Sequence, residues 1–313
     1  MAADPCTHRR TGRLSITMDR LVLIEPFRAI FYAPYYVALD RGCFTARGVE
    51  LWLETAGTPD AAAARLHDGS ADLAWSGPMR PMLERSRDPA STLRSFGAAV
   101  MRDPFLLFGM GERPGFALSD LATMRVAIPS EVPTPWWCLQ HDLRLAGVDP
   151  AAMPGVQFMP MGEGAAALRA GAVDAVLLFE PHATALEDAG ARLWYAAASR
   201  GPTAYSALYA VAPRIAEKHD AFTKVVLGLG DALRWLHGAS DTALAETLAP
   251  RFADVDAGRL ERSVARYRRL GLWVENTDLP PEALDRLAES MISAGAMTHH
   301  PGYASCIETS FSA

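Results

Sequence analysis

"DGSADLAWSGP" (residues 68–78) and "AGAVDAVLLFEP" (residues 170–181) are near echoes of one another. In each, a turn of small residues carries a glycine, Gly69 or Gly171. An aspartate follows three positions on, Asp72 or Asp174, and then a short apolar run ends at Pro78 or Pro181. The pattern reads as the end of a helix, its turn and a buried strand. A chain that makes it twice builds two similar α/β units. In open α/β sheets ligands bind beyond the carboxyl ends of the strands, so two units whose strand ends face each other enclose a cleft.

Working outward, β-rich runs alternate with helical stretches, as in a mostly parallel sheet flanked by helices. "RLVLIE" (20–25), "VELWLE" (49–54) and "ADLAWSG" (71–77) read as strands, with helices in "PYYVALDRGCF" (34–44) and "PDAAAARLHDG" (59–69). Strands "LRSFGAAV" (93–100) and "PFLLFGM" (104–110) follow with little between them. After "GERPGFALSD" (111–120) a second series begins: strand "RVAIPS" (125–130), helix "PWWCLQHDLRLAG" (135–147), strand "VQFMPM" (156–161), helix "GEGAAALRAG" (162–171) and strand "AVLLFE" (175–180). "SALYAVA" (206–212) is a strand returning to the first unit. From there the chain is helical, with apolar Val226, Leu229, Leu233 and Leu236 at helical spacing. These tail helices are expected to plate one side of a lobe.

The 313 residues are 50% hydrophobic, enough for one or two sizeable cores, and length favours two domains. Charged residues are 21% and the net charge is -6, so no basic field exists to hold nucleic acid or an anionic membrane. Lys218 and Lys224 are the only lysines, which argues against a Schiff-base enzyme. Cys6, Cys43, Cys138 and Cys306 are scattered, with neither zinc spacing nor a disulfide framework, and read as free thiols. His299-His300 lack spaced carboxylates, so neither a metal nor a cofactor is expected. No run of 18 apolar residues would span a membrane. The N-terminal stretch has no apolar export core before a small-residue cleavage site. The chain as it stands reads as cytoplasmic, and as periplasmic if an export signal precedes it.

"YYVALDRGCFTARGVELWLETAG" (35–57), with Ala38, Gly42, Phe44, Gly48, Val49 and Glu50 in order, resembles a signature of type II periplasmic solute-binding proteins. The branch it is similar to binds sulfonates, nitrate and thiamine pyrimidine precursors. The landmarks "SADLAWSGP", "LATMRVAIPS" and "AALRAGAVDAVLLFEPHA" agree, over roughly residues 20 to 310. The resemblance implies an α/β fold of two lobes, each a mixed sheet flanked by helices, with a ligand cleft between them and a hinge that closes on it. Residues 18–104 would start lobe one, 105–204 form lobe two, and 205–313 return to lobe one. The hinge would lie near Arg102 to Phe105 and Thr203 to Ala207, which brings in Tyr205. The partners implied are a small-molecule ligand and an ABC permease.

Candidate site residues fall on strand ends. The loop "EPFRAIFYAPYY" (25–36) offers Arg28 as a carboxylate or sulfonate clamp, or an ordinary surface arginine, and Phe31, Tyr32 and Tyr35 as aromatic walls or core. In "WSGPMRP" (75–81) Ser76, Gly77 and Pro78 mark a strand yielding to a helix start, where backbone amides favour an anion or polar ligand edge. The facing loop "PSEVPTPWW" (129–137) supplies Ser130, Glu131, Thr134 and Trp136, although Thr134 also suits a helix cap. Glu180 is a candidate acceptor for a ligand amino group. His182 beside it is a proton carrier or a structural histidine.

Two function classes remain: a non-catalytic binder that captures a small organic molecule, and a cytoplasmic enzyme on the same fold. No G-x-S-x-G elbow, phosphate-binding glycine loop or H-E-x-x-H is present. The fungal pyrimidine synthase of thiamine biosynthesis shares the fold and consumes a histidine from the first-strand loop. Registered on "YVA", Tyr32 stands there instead, and no cysteine-rich run exists. A desulfinase uses a cysteine nucleophile in that loop, whereas Cys43 falls at the far end of the next helix and Cys138 lies nearer the second lobe's side of the cleft.

Overall fold

The structure, a computed structural model, describes residues 18–311. The N-terminal export reading and Cys6 lie outside the described residues. Two five-stranded sheets carry the fold. Lobe one contains β1 (Asp19–Glu25), α1 (Ala33–Asp40), α2 (Cys43–Ala46), β2 (Val49–Thr55), α3 (Pro59–His67), β3 (Leu73–Ser76), α4 (Met79–Arg87) and β4 (Leu93–Val100). Lobe two contains β5 (Leu106–Met110), β6 (Val126–Pro129), α5 (Thr134–Leu145), β7 (Val156–Met159), α6 (Met161–Arg169), β8 (Ala175–Leu178), α7 (His182–Asp188) and β9 (Ala191–Ala196). The chain then returns through β10 (Ser206–Val211) to α8 (Ala212–Glu217), α9 (His219–Gly238), α10 (Asp241–Leu248), α11 (Ala257–Arg269), α12 (Pro281–Ser293) and α13 (Tyr303–Cys306).

The two sheets are built to one plan. Lobe one runs β2-β1-β3-β10-β4, with β1 parallel to β2 and β3 and with β10 antiparallel to β3 and β4. Lobe two runs β7-β6-β8-β5-β9, with β6 parallel to β7 and β8 and with β5 antiparallel to β8 and β9. Each parallel triplet is thus completed by a strand that has just crossed from the other lobe.

The repeated turn explains the shared plan. Gly69 (φ 77°) and Gly171 (φ 68°) end α3 and α6 in the left-handed region that glycine adopts at little cost. The aspartate then docks on the neighbouring strand: Asp72 N donates to Val22 O at 3.0 Å, and Asp174 N donates to Arg125 O at 2.8 Å. Their carboxylates accept in return from Val22 N and Arg125 N, both at 2.8 Å. Elsewhere too the local chemistry follows the sequence. Thr58 caps α3 through Ala61 N and Pro59 sits at its first turn, while Gly42 (φ 71°) splits the expected single helix into α1 and α2.

The tail helices depart from expectation. α9 packs on α1, α2 and β4 of lobe one, but α11 also packs on α7 and α12 on α5, both in lobe two. The reason is a second apolar core: Leu284, Leu287 and Met291 of α12 share one cluster with Met79, Met82 and Leu83 of α4 and with Cys138 of α5. Fully burying such side chains contributes about 1.5–3 kcal/mol each. Ionic contacts add to the span, with Arg266 Nη1 to Glu180 Oε1 at 2.7 Å and Arg262 Nη2 to Asp188 Oδ1 at 2.5 Å. The free-thiol expectation also fails at Cys43, which is disulfide-bonded, whereas Cys138 and Cys306 are free and buried.

Candidate functional site between the lobes

Two short crossings join the lobes, one between β4 and β5 and one between β9 and β10. They lie side by side, with Thr203 N donating to Met101 O at 2.8 Å and Tyr205 N to Val100 O at 3.0 Å. A buried ion network binds them. The Arg200 guanidinium reaches Asp103 Oδ2 at 2.8 Å and also pairs with Asp142 of α5, and Tyr195 donates to Asp142 at 2.8 Å. Burial pushes the Asp103 carboxyl above the ordinary aspartate range, and Arg200 opposes that shift.

In front of the crossings lies a chamber of about 40 Å³. Lobe one supplies Phe31 and Tyr32 from the β1 loop, and Ser76, Gly77 and Arg80 from the start of α4. Lobe two supplies Val132, Pro133 and Thr134, and the crossings supply Phe105 and Tyr205. Neither α4 nor α5 has a side-chain cap, and Pro133 holds the cap position of α5, so the Thr134 hydroxyl caps nothing. A wider chamber of about 470 Å³ adjoins it, sharing Phe27 and Val132, and is lined by Arg28, Glu131, Phe179, His182 and Asp254 among others. Phe27 and Phe179, from opposite lobes, stack at 6.3 Å with 10° between planes.

The hydroxyls of the inner chamber are idle. Tyr32, Ser76, Thr134 and Tyr205 have no side-chain hydrogen-bond partner among the described residues. Tyr32, Ser76 and Tyr205 are nevertheless buried, at 3%, 5% and 9% exposure. Burial raises both tyrosine pKa values, so the phenols are protonated and able to donate.

The sequence candidates therefore divide. Phe31, Tyr32, Ser76, Gly77, Thr134 and Tyr205 meet in the inner chamber, while Arg28 and Glu131 line the outer one. Arg28 is engaged by Glu25 at 3.2 Å, and Glu131 accepts from Met161 N at 2.9 Å. Pro78 is buried behind the α4 start. Tyr35 stacks on Trp75 at 4.7 Å in the core, with its hydroxyl 3.2 Å from Ser206. Ser130 is exposed at the end of β6, and Trp136 packs edge-on against Phe158. The Glu180 carboxylate lines neither chamber. It accepts from Thr184 N and Oγ1, both at 2.9 Å, from Ser263 Oγ at 3.2 Å and from Arg266, so its acceptor capacity is spent inside the protein. Phe27, Arg80 and Phe179 were not singled out from sequence. Arg80 stands two residues after Pro78 in the quoted turn, but whether a side chain there faces a cleft depends on the helix phase.

No group of His, Cys, Asp and Glu able to hold a metal, and no helix long and apolar enough to cross a membrane, occurs among the described residues. The Cys138 thiol is fully buried and pushed up to about 12, away from the reactive range.

Over 292 residues the chain is 22% identical to YtlA of Bacillus subtilis (strain 168), covering 92% of this chain and 87% of that one. Its fold superposes on the periplasmic aliphatic sulphonate binding protein SsuA of Escherichia coli with a TM-score of 0.72 at 16% identity, covering 94% and 98% of the two chains. It superposes likewise on the desulfurization enzyme DSZB, with a TM-score of 0.67 at 17% identity, covering 94% and 97%. A family model described as NMT1/THI5 like matches residues 30–239, about two thirds of the sequence. The chain belongs to the NMT1/THI5-like family.

Proposed function

We propose that the protein is a solute-binding protein of an ABC-type uptake system, capturing a small organic ligand between its lobes. The ligand in this reading is an aromatic or heteroaromatic molecule bearing a polar or anionic group: a thiamine-precursor pyrimidine, a sulfonate or an aromatic carboxylate. The observation that carries it is the set of unpartnered hydroxyls from both lobes and the crossing strand around one chamber. Hydroxyls that open into the chamber without a protein partner are available to a guest, and a guest that pairs them from both lobes at once rewards closure. The names of relatives lend support, since YtlA carries that of a binding protein and SsuA that of a sulphonate binder. A permease partner and work on the outer side of the cytoplasmic membrane belong to the same reading.

Catalysis is less well supported. A thiol enzyme needs an accessible thiolate, and neither free cysteine lines either chamber. The test is a thermal-shift screen of pyrimidines, sulfonates and aromatic acids. A specific ligand at 100 times its Kd adds about 2.7 kcal/mol of stability. Conversion of a stabilising hit to product under the same conditions overturns the binding reading.

A further inference from the structure

We infer that the inner chamber is an acceptor-reading site: it takes ligands rich in hydrogen-bond acceptors, neutral or singly anionic, and rejects cations, with Arg80 as its charge-selecting residue. This rests on the ligand-binding reading and narrows it. Four idle side-chain groups on the wall are hydroxyls, three of them on residues at least nine-tenths buried. A hydroxyl can donate or accept, so the charge on the wall decides which role is useful. Among the described residues the wall carries no carboxylate, and Arg80 is its one charged side chain.

Arg80 is incompletely satisfied. Its Nη1 pairs with Asp60 Oδ1 at 2.5 Å, but Asp60 is 81% exposed and screened by water. Its Nε is buried with no partner. The uncapped starts of α4 and α5 add the positive ends of two helix dipoles from opposite lobes. Every fixed charge and dipole end on the wall therefore favours a negative or acceptor-bearing guest, and an ammonium group would meet no counter-charge. The size of the chamber adds a condition. At about 40 Å³ it holds a few waters, whereas a cavity that takes benzene measures roughly 150 Å³. A ring must widen it, most directly by parting the Phe27–Phe179 stack that bridges the lobes.

The inference has a test that needs no ligand. Tyr32→Phe and Tyr205→Phe remove hydroxyls that have no protein partner among the described residues, so the melting temperature should hold or rise. Tyr36→Phe is the control: its hydroxyl donates to Glu25 at 2.7 Å, and its loss should lower the melting temperature. If Tyr32→Phe and Tyr205→Phe lower it as much as the control does, those hydroxyls serve the fold and the inference is overturned. The second arm measures binding of benzenesulfonate, benzamide and benzylamine by calorimetry. Benzenesulfonate and benzamide should each bind at least tenfold tighter than benzylamine, and Arg80→Gln should cut the sulfonate preference while sparing benzamide. Benzylamine binding as well as or better than the other two overturns the inference but leaves the binding reading intact. Failure of every compound in the wider thermal-shift screen removes the binding reading itself.

Discussion

Asp72 and Asp174 make the same pair of backbone hydrogen bonds in different lobes, each exchanging N–H and carboxylate contacts with the first strand of its own βαβ unit. Their surroundings differ. Asp72 is 8% exposed and also holds Lys218 Nζ at 2.8 Å, whereas the Asp174 side chain is 40% exposed and pairs with Arg125 on the strand it caps. Asp72→Ala strands a half-buried amide and a lysine, an expected cost of about 2–3 kcal/mol, while Asp174→Ala should cost about 1 kcal/mol. Urea unfolding of both variants checks this, and equal losses would contradict the asymmetry.

Arg200 joins both crossings, and Arg200→Met leaves Asp103 and Asp142 facing each other without a cation. The expected loss is about 3–5 kcal/mol. Burial already raises the folded Asp103 pKa above its unfolded value, and removing Arg200 raises it further. A raised folded pKa gives stability that is present below the unfolded value and is lost as pH rises through the folded one. The deficit of the variant relative to wild type should therefore be larger at pH 8 than at pH 4.5, as read by denaturant midpoints.

His182 lines the outer chamber, and burial lowers its pKa against a smaller opposing pull from Glu131. A lowered folded pKa means stability that is full above the unfolded value, near 6.5, and lost as pH falls through the folded one. Wild type should lose more melting temperature between pH 7.5 and 5.5 than His182→Gln does. Parallel curves would show that the imidazole takes up its proton without penalty.

Gly77 stands where a Cβ would lie 3.2 Å from both the Tyr205 carbonyl and Met79 Cγ. Gly77→Val should push α4 away from the crossing strand and weaken binding of any hit from the screen by tenfold or more. The check is calorimetric titration beside circular dichroism, with the fold retained.

Cys138 and Cys306 should resist thiol reagents in the native protein. Cys138 has no exposed surface and a thiol pushed up to about 12, and burial raises Cys306 as well. Peptide mapping after brief alkylation should find both labelled only when urea is present.

The fold was legible because period-two and buried runs survive in single segments. "LRSFGAAV" reads as a strand with the bounds of β4, and the repeated glycine-aspartate turn announces two matching lobes. β9 is not legible: Arg192 and Leu193 are exposed on this edge strand, and its pairing with β5 spans more than eighty residues. Only the start of α4 is legible, since Pro81, which the structure accommodates in the first turn, breaks the helical pattern in the sequence and the helix's burial depends on α12. The same distance limit governs the site. Tyr32, Ser76, Thr134 and Tyr205 were readable as strand-end or crossing residues. The fate of Glu180 was not, because the arginine that occupies it lies 86 residues further along.

The placement of β10 between β3 and β4 also has a bearing on biogenesis. All five strands of the second lobe lie between residues 106 and 196, so a ribosome delivers that sheet whole. The first lobe begins earlier but stays divided until Ser206–Val211 emerges to join its halves. The lobe begun first is thus the later to mature, and a nascent chain halted with residue 200 just clear of the ribosome and β10 still inside it should protect the second lobe from protease while the first is still cut.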